Sequence, residues 1–419
     1  MGTTAFRLRL GRDYPRLRPV IGDCARRVCE HMNEVPPSAP VETAERVRSS
    51  FAALAPRMES IAKVFYATLF TIDPPTRELF PATMSAQRDR LVTALIHVVG
   101  LVDDPDRLVP FLQQLGRDHR KFGVITAYYT SVGRALLTSL RMHAGDAWTP
   151  DVDRAWTEAY DIIAGAMSSA ADAERGPSSW GATVVELHRL ADDLAVVRLH
   201  SDTPVPRAAG QYVSVQVPQR PRMWRWLSPA SAPNGTGELE FHVRGVPGGW
   251  VSRSIVAHTN VGDRWLVGPA LGLLAVNRTS GRDVLMVAGG TGLAPLRAIV
   301  ESMATHGGNP RVQLFVGGRS RDDLYDLESL HRTAAANPWL TVVPVVEEEG
   351  STNHRAPEPR GMHAVQHGKL SEVVTRHGAW ADRQVLISGS PPMVRATLSA
   401  LVRRGTPPEQ ISWDPLPAD

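Results

Sequence analysis

Two short stretches carry residues whose types and spacing suit chemistry. In "VAGGTGLAP" an apolar run ends in Gly289, Gly290, Thr291 and Gly292, and a helical pattern opens at Leu293, Ala294 and Pro295. Glycines let a backbone approach a pyrophosphate closely, and the N–H groups and positive dipole end of the following helix attract its charge. A plain strand-to-helix link would use the same residues, so this turn alone has two readings. In "GRDHRKF" one imidazole, His119, follows Leu108, Phe111, Leu112 and Leu115 at helical spacing and precedes Phe122 by three positions. That places it on the apolar face of a helix. An inward histidine is either a core residue with satisfied hydrogen bonds or a ligand, and spacing leaves both open.

These groups need elements to hold them. From residue 42 to 172 the pattern is helical: Val47, Phe51, Leu54, Met58, Ile61, Phe65 and Leu69 recur at intervals of three and four. Leu91, Leu95, Val98 and Val102 form a second such face, and Pro74-Pro75 and "DAWTP" interrupt the pattern. A helical domain of this length suits several helices around one core. A polar linker follows at 173–180. From 181 to 279, runs such as "GQYVSVQVP", "GELEFHVRG" and "DRWLVGP" alternate in part between turn residues, which predicts a small antiparallel β-barrel. From 280 to 419, "DVLMVAGG", "RVQLFVGG", "LTVVPVV" and "RQVLISG" read as buried strands alternating with helices, the pattern of an α/β doubly wound parallel sheet.

Composition narrows the function. The 419 residues carry a net charge of only +3, and lysine occurs only at Lys63, Lys121 and Lys369, so nucleic acid is not indicated. Apolar runs stay well short of the roughly 20 residues that cross a bilayer. Cys24 and Cys29 are too few for a disulfide framework, a four-thiolate zinc site or a common iron–sulfur cluster, which fits a reducing, cytoplasmic setting. Residues 1–41 are rich in Arg and Pro without a signal-peptide core, and read as a mobile basic tail; a transit-like leader is the alternative. Oligomeric state is not legible here.

Further residues join the glycine turn. "RWLSPA" supplies Arg225, Trp226, Leu227 and Ser228; "PGGWVS" supplies Gly248, Gly249, Val251 and Ser252; "SGSPPM" runs from Ser388 to Met393. With the Gly-Gly-Thr-Gly turn these resemble, in order, the four motifs of the ferredoxin-reductase superfamily. The resemblance implies that Arg225 pairs with an FAD pyrophosphate, that Ser228 bonds near the flavin N5, and that Gly249 and Ser252 hold phosphate. It adds Tyr212, in "GQYVSV", and Asp414 and Leu416, in "WDPLP", as flavin contacts. The glycine turn, with Ser388 and Met393, would take NADH or NADPH. Arg319 and Arg321, in "GGRSRDD", either contact a 2′-phosphate or are solvated loop charges. Leu227, Ser388 and Leu416 stand where the family usually has Tyr, Cys and Phe.

A helical domain of globin length joined to such a reductase resembles flavohemoglobin, from about residue 42 to the C-terminus. By that resemblance His119 is the proximal ligand of haem b, with Tyr129, in "ITAYYTSVG", in the proximal pocket. "FYATLFTIDPPTRELF" supplies a distal Tyr66 and a haem-packing Phe80, and "MSAQRDRLVTAL" places Leu91 or Arg90 at the distal position, with Leu95 in the lining. Asp118 replaces the Lys that usually precedes the proximal His, and the usual proximal Glu has only Asp172 nearby. The implied reaction is NAD(P)H-dependent oxidation of nitric oxide to nitrate with O2, with Tyr66 and Tyr129 in catalytic roles. The alternatives are a related oxidoreductase with another donor or acceptor, and a haem-based gas sensor or storage protein with a degenerate reductase.

Overall fold

In a computed structural model of the chain, residues 39–347 and 361–414 are described. The expected basic tail up to residue 38, both cysteines and Leu416 lie outside them. Six α-helices come first: α1 (Ala39–Leu54), α2 (Met58–Ile72), α3 (Ser85–Gly100), α4 (Pro105–His119), α5 (Thr126–Ala144) and α6 (Pro150–Ala173). Local chemistry sets their ends. Pro74 and Pro75 open a 3-10 turn after α2, Pro105 and Pro150 start α4 and α6, and the Thr149 hydroxyl caps α6 by accepting from the Val152 N–H at 3.3 Å. Gly123, at φ 79°, stops the 3-10 turn Arg120–Phe122 that follows α4.

The expected single helical core is instead two apolar clusters. One gathers Phe51, Ile61, Phe65, Tyr66, Leu69, Leu136, Leu140 and Trp156, with Phe80, Leu91 and Leu95 only half-buried against it. The other joins Val98, Leu101, Leu108, Leu112 and Met167, with Phe111, Leu115 and Tyr129 at its margin. Helices α4 and α6 cross so closely that a Cβ on Gly116 would lie 2.1 Å from the Met167 carbonyl oxygen.

Strands β1 (Trp180–Ala191), β2 (Leu194–Ser201), β3 (Tyr212–Gln216), β4 (Trp224–Leu227), β5 (Glu238–Arg244) and β6 (Arg264–Leu271) form an antiparallel sheet in the order β4-β3-β6-β1-β2-β5. An antiparallel bridge from Pro229 to Phe241 links the exit of β4 to β5 and curls the sheet toward a barrel. Its core holds Val197, Leu199, Val213, Val215, Phe241 and Trp265, with Ile255 from α7 (Trp250–His258).

The last part is parallel throughout. Strands β7 (Val284–Gly289), β8 (Val312–Gly318), β9 (Leu340–Val346), β10 (Gln366–His367), β11 (Gln384–Ser388) and β12 (Ile411–Ser412) lie in the order β10-β9-β8-β7-β11-β12. The order reverses at β7, so the carboxyl ends of β7 and β11 frame the crevice where such sheets bind ligands. Helices α8 (Leu293–Ala304), α9 (Leu327–Ala336), α10 (Leu370–His377) and α11 (Pro391–Arg403) accompany it, and an apolar cluster covers each face of the sheet. Among the described residues no helix is long and apolar enough to cross a membrane.

Candidate functional site

His119 is the last residue of α4, and its partly buried ring has Nδ1 2.7 Å from the Leu115 carbonyl oxygen, one turn back. A carbonyl only accepts, so Nδ1 carries the hydrogen and Nε2 keeps a lone pair, with no partner among the described residues. Burial holds the imidazole pKa below its ordinary value, against the Leu115 bond and the Asp118 charge, so the ring is neutral near pH 7. This is the state of a metal-ligating histidine, oriented by a backbone carbonyl.

Across the half-buried apolar margin, the Tyr66 hydroxyl donates to the Gln87 carbonyl at a long 3.3 Å, and its ring meets Phe80 edge-on at 5.3 Å. Burial outweighs that bond and pushes its pKa up to about 12, so it stays a donor. Of the two candidates for the distal position, Leu91 packs on the cluster and Arg90 is exposed. The Tyr129 hydroxyl is buried without a hydrogen bond, while its carbonyl accepts from the Tyr160 hydroxyl at 2.5 Å. Burial, and then Asp172, raise the Tyr129 pKa; Asp172 itself accepts from the Thr126 hydroxyl at 3.3 Å.

These features fit haem. Two apolar margins, an imidazole with a spare lone pair and an orphaned hydroxyl suit a flat apolar group bearing a metal. Among the described residues no three His, Cys, Asp or Glu cluster to hold an ion.

The second site is a cleft of about 1110 Å³ at the β7/β11 switch point. Arg225, Trp226, Leu227 and Ser228 line one wall, and Gly289 to Gly292 with Ala294 and Pro295 another. Ser252, Arg319, Ser388, Met393 and Asp414 also line it, as do His242, Arg244 and Asp323. Gly290, at φ 54°, needs its missing Cβ to turn. A Cβ on Gly292 would lie 2.5 Å from the Gly389 N and Cα and the Ser388 carbonyl oxygen, so the two turns touch backbone to backbone. The Ser252 hydroxyl closes its loop by accepting from the Val246 N–H at 3.4 Å, and Asp414 accepts from the Leu273 N–H at 3.0 Å. Burial raises the Asp414 pKa despite that bond.

Some expected contacts sit elsewhere. The side chains of Val251 and Leu293 point into apolar cores, because both occupy inward helical positions. Arg321 is exposed outside the cleft lining, so of the two loop arginines Arg319 faces it. Tyr212 packs edge-on against Trp226 at 5.1 Å, one layer back, and Gly248 and Gly249 shape the turn beside Ser252, Gly248 at φ 80°.

The two sites meet. Lys121 Nζ lies 4.2 Å from the Trp226 ring centroid and 5.7 Å from that of Trp224, and Phe122 meets Trp224 edge-on at 6.1 Å. Phe122 in turn lies 5.9 Å from the His119 ring. Burial lowers the Lys121 pKa and raises that of Asp118, and each charge opposes the other's shift. A cation, Lys121, thus stands at the junction three residues past Asp118. Sequence motifs do not single out Lys121, Trp224 or Gln87. Their signals are one of only three lysines in an arginine-rich chain, an extra indole beside the Arg225 motif, and a polar residue one turn before Leu91.

Three family profiles match in succession: Globin at residues 63–167, Oxidoreductase FAD-binding domain at 181–274 and Oxidoreductase NAD-binding domain at 286–399. The flavohemoprotein of Bacillus subtilis (strain 168) is 23% identical over 395 residues, covering 89% of this chain and 96% of that protein. The chain belongs to the flavohemoprotein family. Its cofactors are haem, FAD and a nicotinamide dinucleotide, and it is an oxidoreductase. The reductase half of this flavohemoprotein is also 32% identical over 233 residues to the ferredoxin–NAD(P)+ reductase component of the naphthalene 1,2-dioxygenase system of Pseudomonas putida, covering 55% of this chain and 67% of that one. The fold is that of the flavohemoglobin from Malassezia yamatoensis, at TM-score 0.69 and 19% identity, covering 89% of this chain and 98% of that one.

Proposed function

We propose that this flavohemoprotein is an NAD(P)H-dependent nitric oxide dioxygenase that oxidises nitric oxide to nitrate with O2 in the cytoplasm. The observation that carries the reading is the junction of Lys121 and Phe122 with Trp224 and Trp226, which puts the proximal segment of the haem domain against the flavin strand. We assign 42–172 to the haem domain, 181–279 to the FAD domain and 280–419 to the dinucleotide domain.

Bound, the three groups supply hydride transfer, single-electron transfer and dioxygen chemistry. The protein supplies position and polarity. His119, held by the Leu115 carbonyl, would offer Nε2 to the iron. Tyr66 keeps its proton and would turn it from the Gln87 carbonyl, a long 3.3 Å away, to a small bound ligand, around which Phe80, Leu91 and Leu95 would exclude water. Arg225 offers its fixed fork of donors to a pyrophosphate, and Ser228 a hydroxyl to the flavin ring. The Gly289–Gly292 turn and the α8 N-terminus would hold the dinucleotide phosphates, with Arg319 available to its adenosine end.

Anaerobic addition of NADH or NADPH to purified protein is expected to bleach the flavin and then shift the Soret band to the ferrous form. Nitric oxide is then expected to accelerate aerobic NAD(P)H oxidation with nitrate as product. Haem reduction without that acceleration would point to another acceptor. His119→Ala should abolish the Soret band and His97→Ala keep it; normal haem in both would overturn the ligand assignment.

A further inference from the structure

Strand β5 has two faces that do different work. Leu239, Phe241 and Val243 fill the barrel core, while Glu240, His242 and Arg244 alternate with them and turn to the dinucleotide domain. Such a row of polar residues would ordinarily face water, yet Glu240 and His242 are both buried.

Each of the three has a partner across the domain boundary. Arg297 Nη1, on α8, donates to Glu240 Oε1 at 2.8 Å and to the Ala230 carbonyl at 2.9 Å, and its Nε lies 3.0 Å from Asp326 Oδ2 without hydrogen-bond alignment. His242 Nε2–H donates to Glu240 Oε1 at 2.9 Å, and its Nδ1 faces the Tyr325 hydroxyl at 2.9 Å. Arg244 Nη2 donates to Asp323 Oδ1 at 2.8 Å, while Asp323 Oδ2 accepts from the Arg319 N–H at 3.0 Å and the Ser320 N–H at 3.3 Å.

The ends of this network matter. Ala230 lies two residues past Ser228 in the flavin motif and donates its N–H to the Glu240 carbonyl at 2.7 Å. Arg297 lies five residues past Gly292, and Asp323 and Tyr325 belong to the loop that presents Arg319 to the cleft. One strand thus ties the flavin segment to both elements that would grip the dinucleotide. Apolar contacts permit sliding, whereas directed hydrogen bonds set distance and angle together.

We propose that the polar face of β5 is a clamp that sets the separation between flavin and nicotinamide, making Glu240, His242 and Tyr325 positioning residues for hydride transfer. The proposal rests on the reading of the cleft as the site where NAD(P)H reduces FAD. It predicts that loosening the clamp lowers the rate of the hydride step more than the affinity for the dinucleotide.

The test uses the full-length, FAD-loaded protein with Tyr325→Phe, which keeps the ring, and Arg297→Gln as the stronger perturbation. Stopped-flow flavin reduction should show a limiting rate about fivefold lower in Tyr325→Phe and lower still in Arg297→Gln, with half-saturating NADH within twofold of wild type and FAD content unchanged. Independently of turnover, hydrogen–deuterium exchange without dinucleotide should quicken at the backbone amides of residues 319–326. Quicker exchange with an unchanged limiting rate would make the network ordinary interdomain packing, and unchanged exchange would overturn the clamp itself. If NADH fails to reduce the wild-type flavin, the catalytic reading fails, and the exchange experiment still decides the clamp.

Discussion

Gly292→Ala tests the dinucleotide turn most directly. The added Cβ would sit 2.5 Å from two backbone atoms of Gly389 and from the Ser388 carbonyl oxygen. Ordinary contact needs about 3.5–4.0 Å, so the two turns must separate by about 1 Å. No side chain can swing away, because these neighbours are all main chain, held in β11 or at its exit. Overpacking of this kind costs about 1–3 kcal/mol, which a domain with two apolar clusters tolerates without unfolding. Displacement of about 1 Å at a hydride-transfer site can cost about 10²-fold in rate. Flavin reduction by NADH in a stopped-flow instrument should therefore slow by roughly that factor, while FAD absorbance, the Soret band and reduction by dithionite stay intact. A rate within threefold of wild type would refute the argument that this turn seats the nicotinamide.

Lys121→Met removes a cation that stacks on Trp226 and balances Asp118, an interaction of about 1–2 kcal/mol when desolvated. Flavin reduction should be unchanged and the subsequent haem-reduction phase several-fold slower, with Lys121→Arg close to wild type. At Glu240, burial pushes the pKa up, but hydrogen bonds from His242 and Arg198 and the charge of Arg297 outweigh it and hold it at about 2. A carboxylate depressed in the folded state stabilises it above its unfolded pKa of about 4.5, and that stability drains away as pH falls toward 2. Urea melts should show Glu240→Gln less stable than wild type at pH 6, by of order 3 kcal/mol, with the gap closing below pH 4.5. Gly116→Ala, whose Cβ would strike the Met167 carbonyl, should lower the thermal midpoint of the helical half and its haem content together.

Much of this architecture is legible in the amino-acid sequence. Period-three and period-four apolar spacing locates the helices and puts His119 on an inward face, and four short motifs locate the cleft. What periodicity reports is which side of an element is buried, not what buries it. Glu240, His242 and Arg244 therefore look like the wet face of a strand, because alternation cannot tell water from a neighbouring domain. Lys121 lies in a turn past the end of α4, where no period applies, and its partners are about 100 residues away. The two-residue strands β10 and β12 are too short to carry a pattern. The split of the helical core into two clusters leaves no mark either, since each cluster draws on helices whose apolar faces look continuous.

The short connection between the halves has a kinetic consequence. Helix α6 ends at Ala173 and β1 begins at Trp180, so the connecting segment spans at most about 25 Å, and the Arg120 guanidinium fastens its middle by donating to the Gly176 carbonyl at 2.7 Å. A tether this short keeps each half at a local concentration of millimolar or more about the other. The contact of Lys121 and Phe122 with the indoles can then be weak by the standards of separate proteins and still be made nearly all the time. Proteolytic nicking between residues 174 and 179 would turn an intramolecular encounter into a bimolecular one. The released reductase would still oxidise NAD(P)H with a soluble electron acceptor, and haem reduction would become dependent on protein concentration.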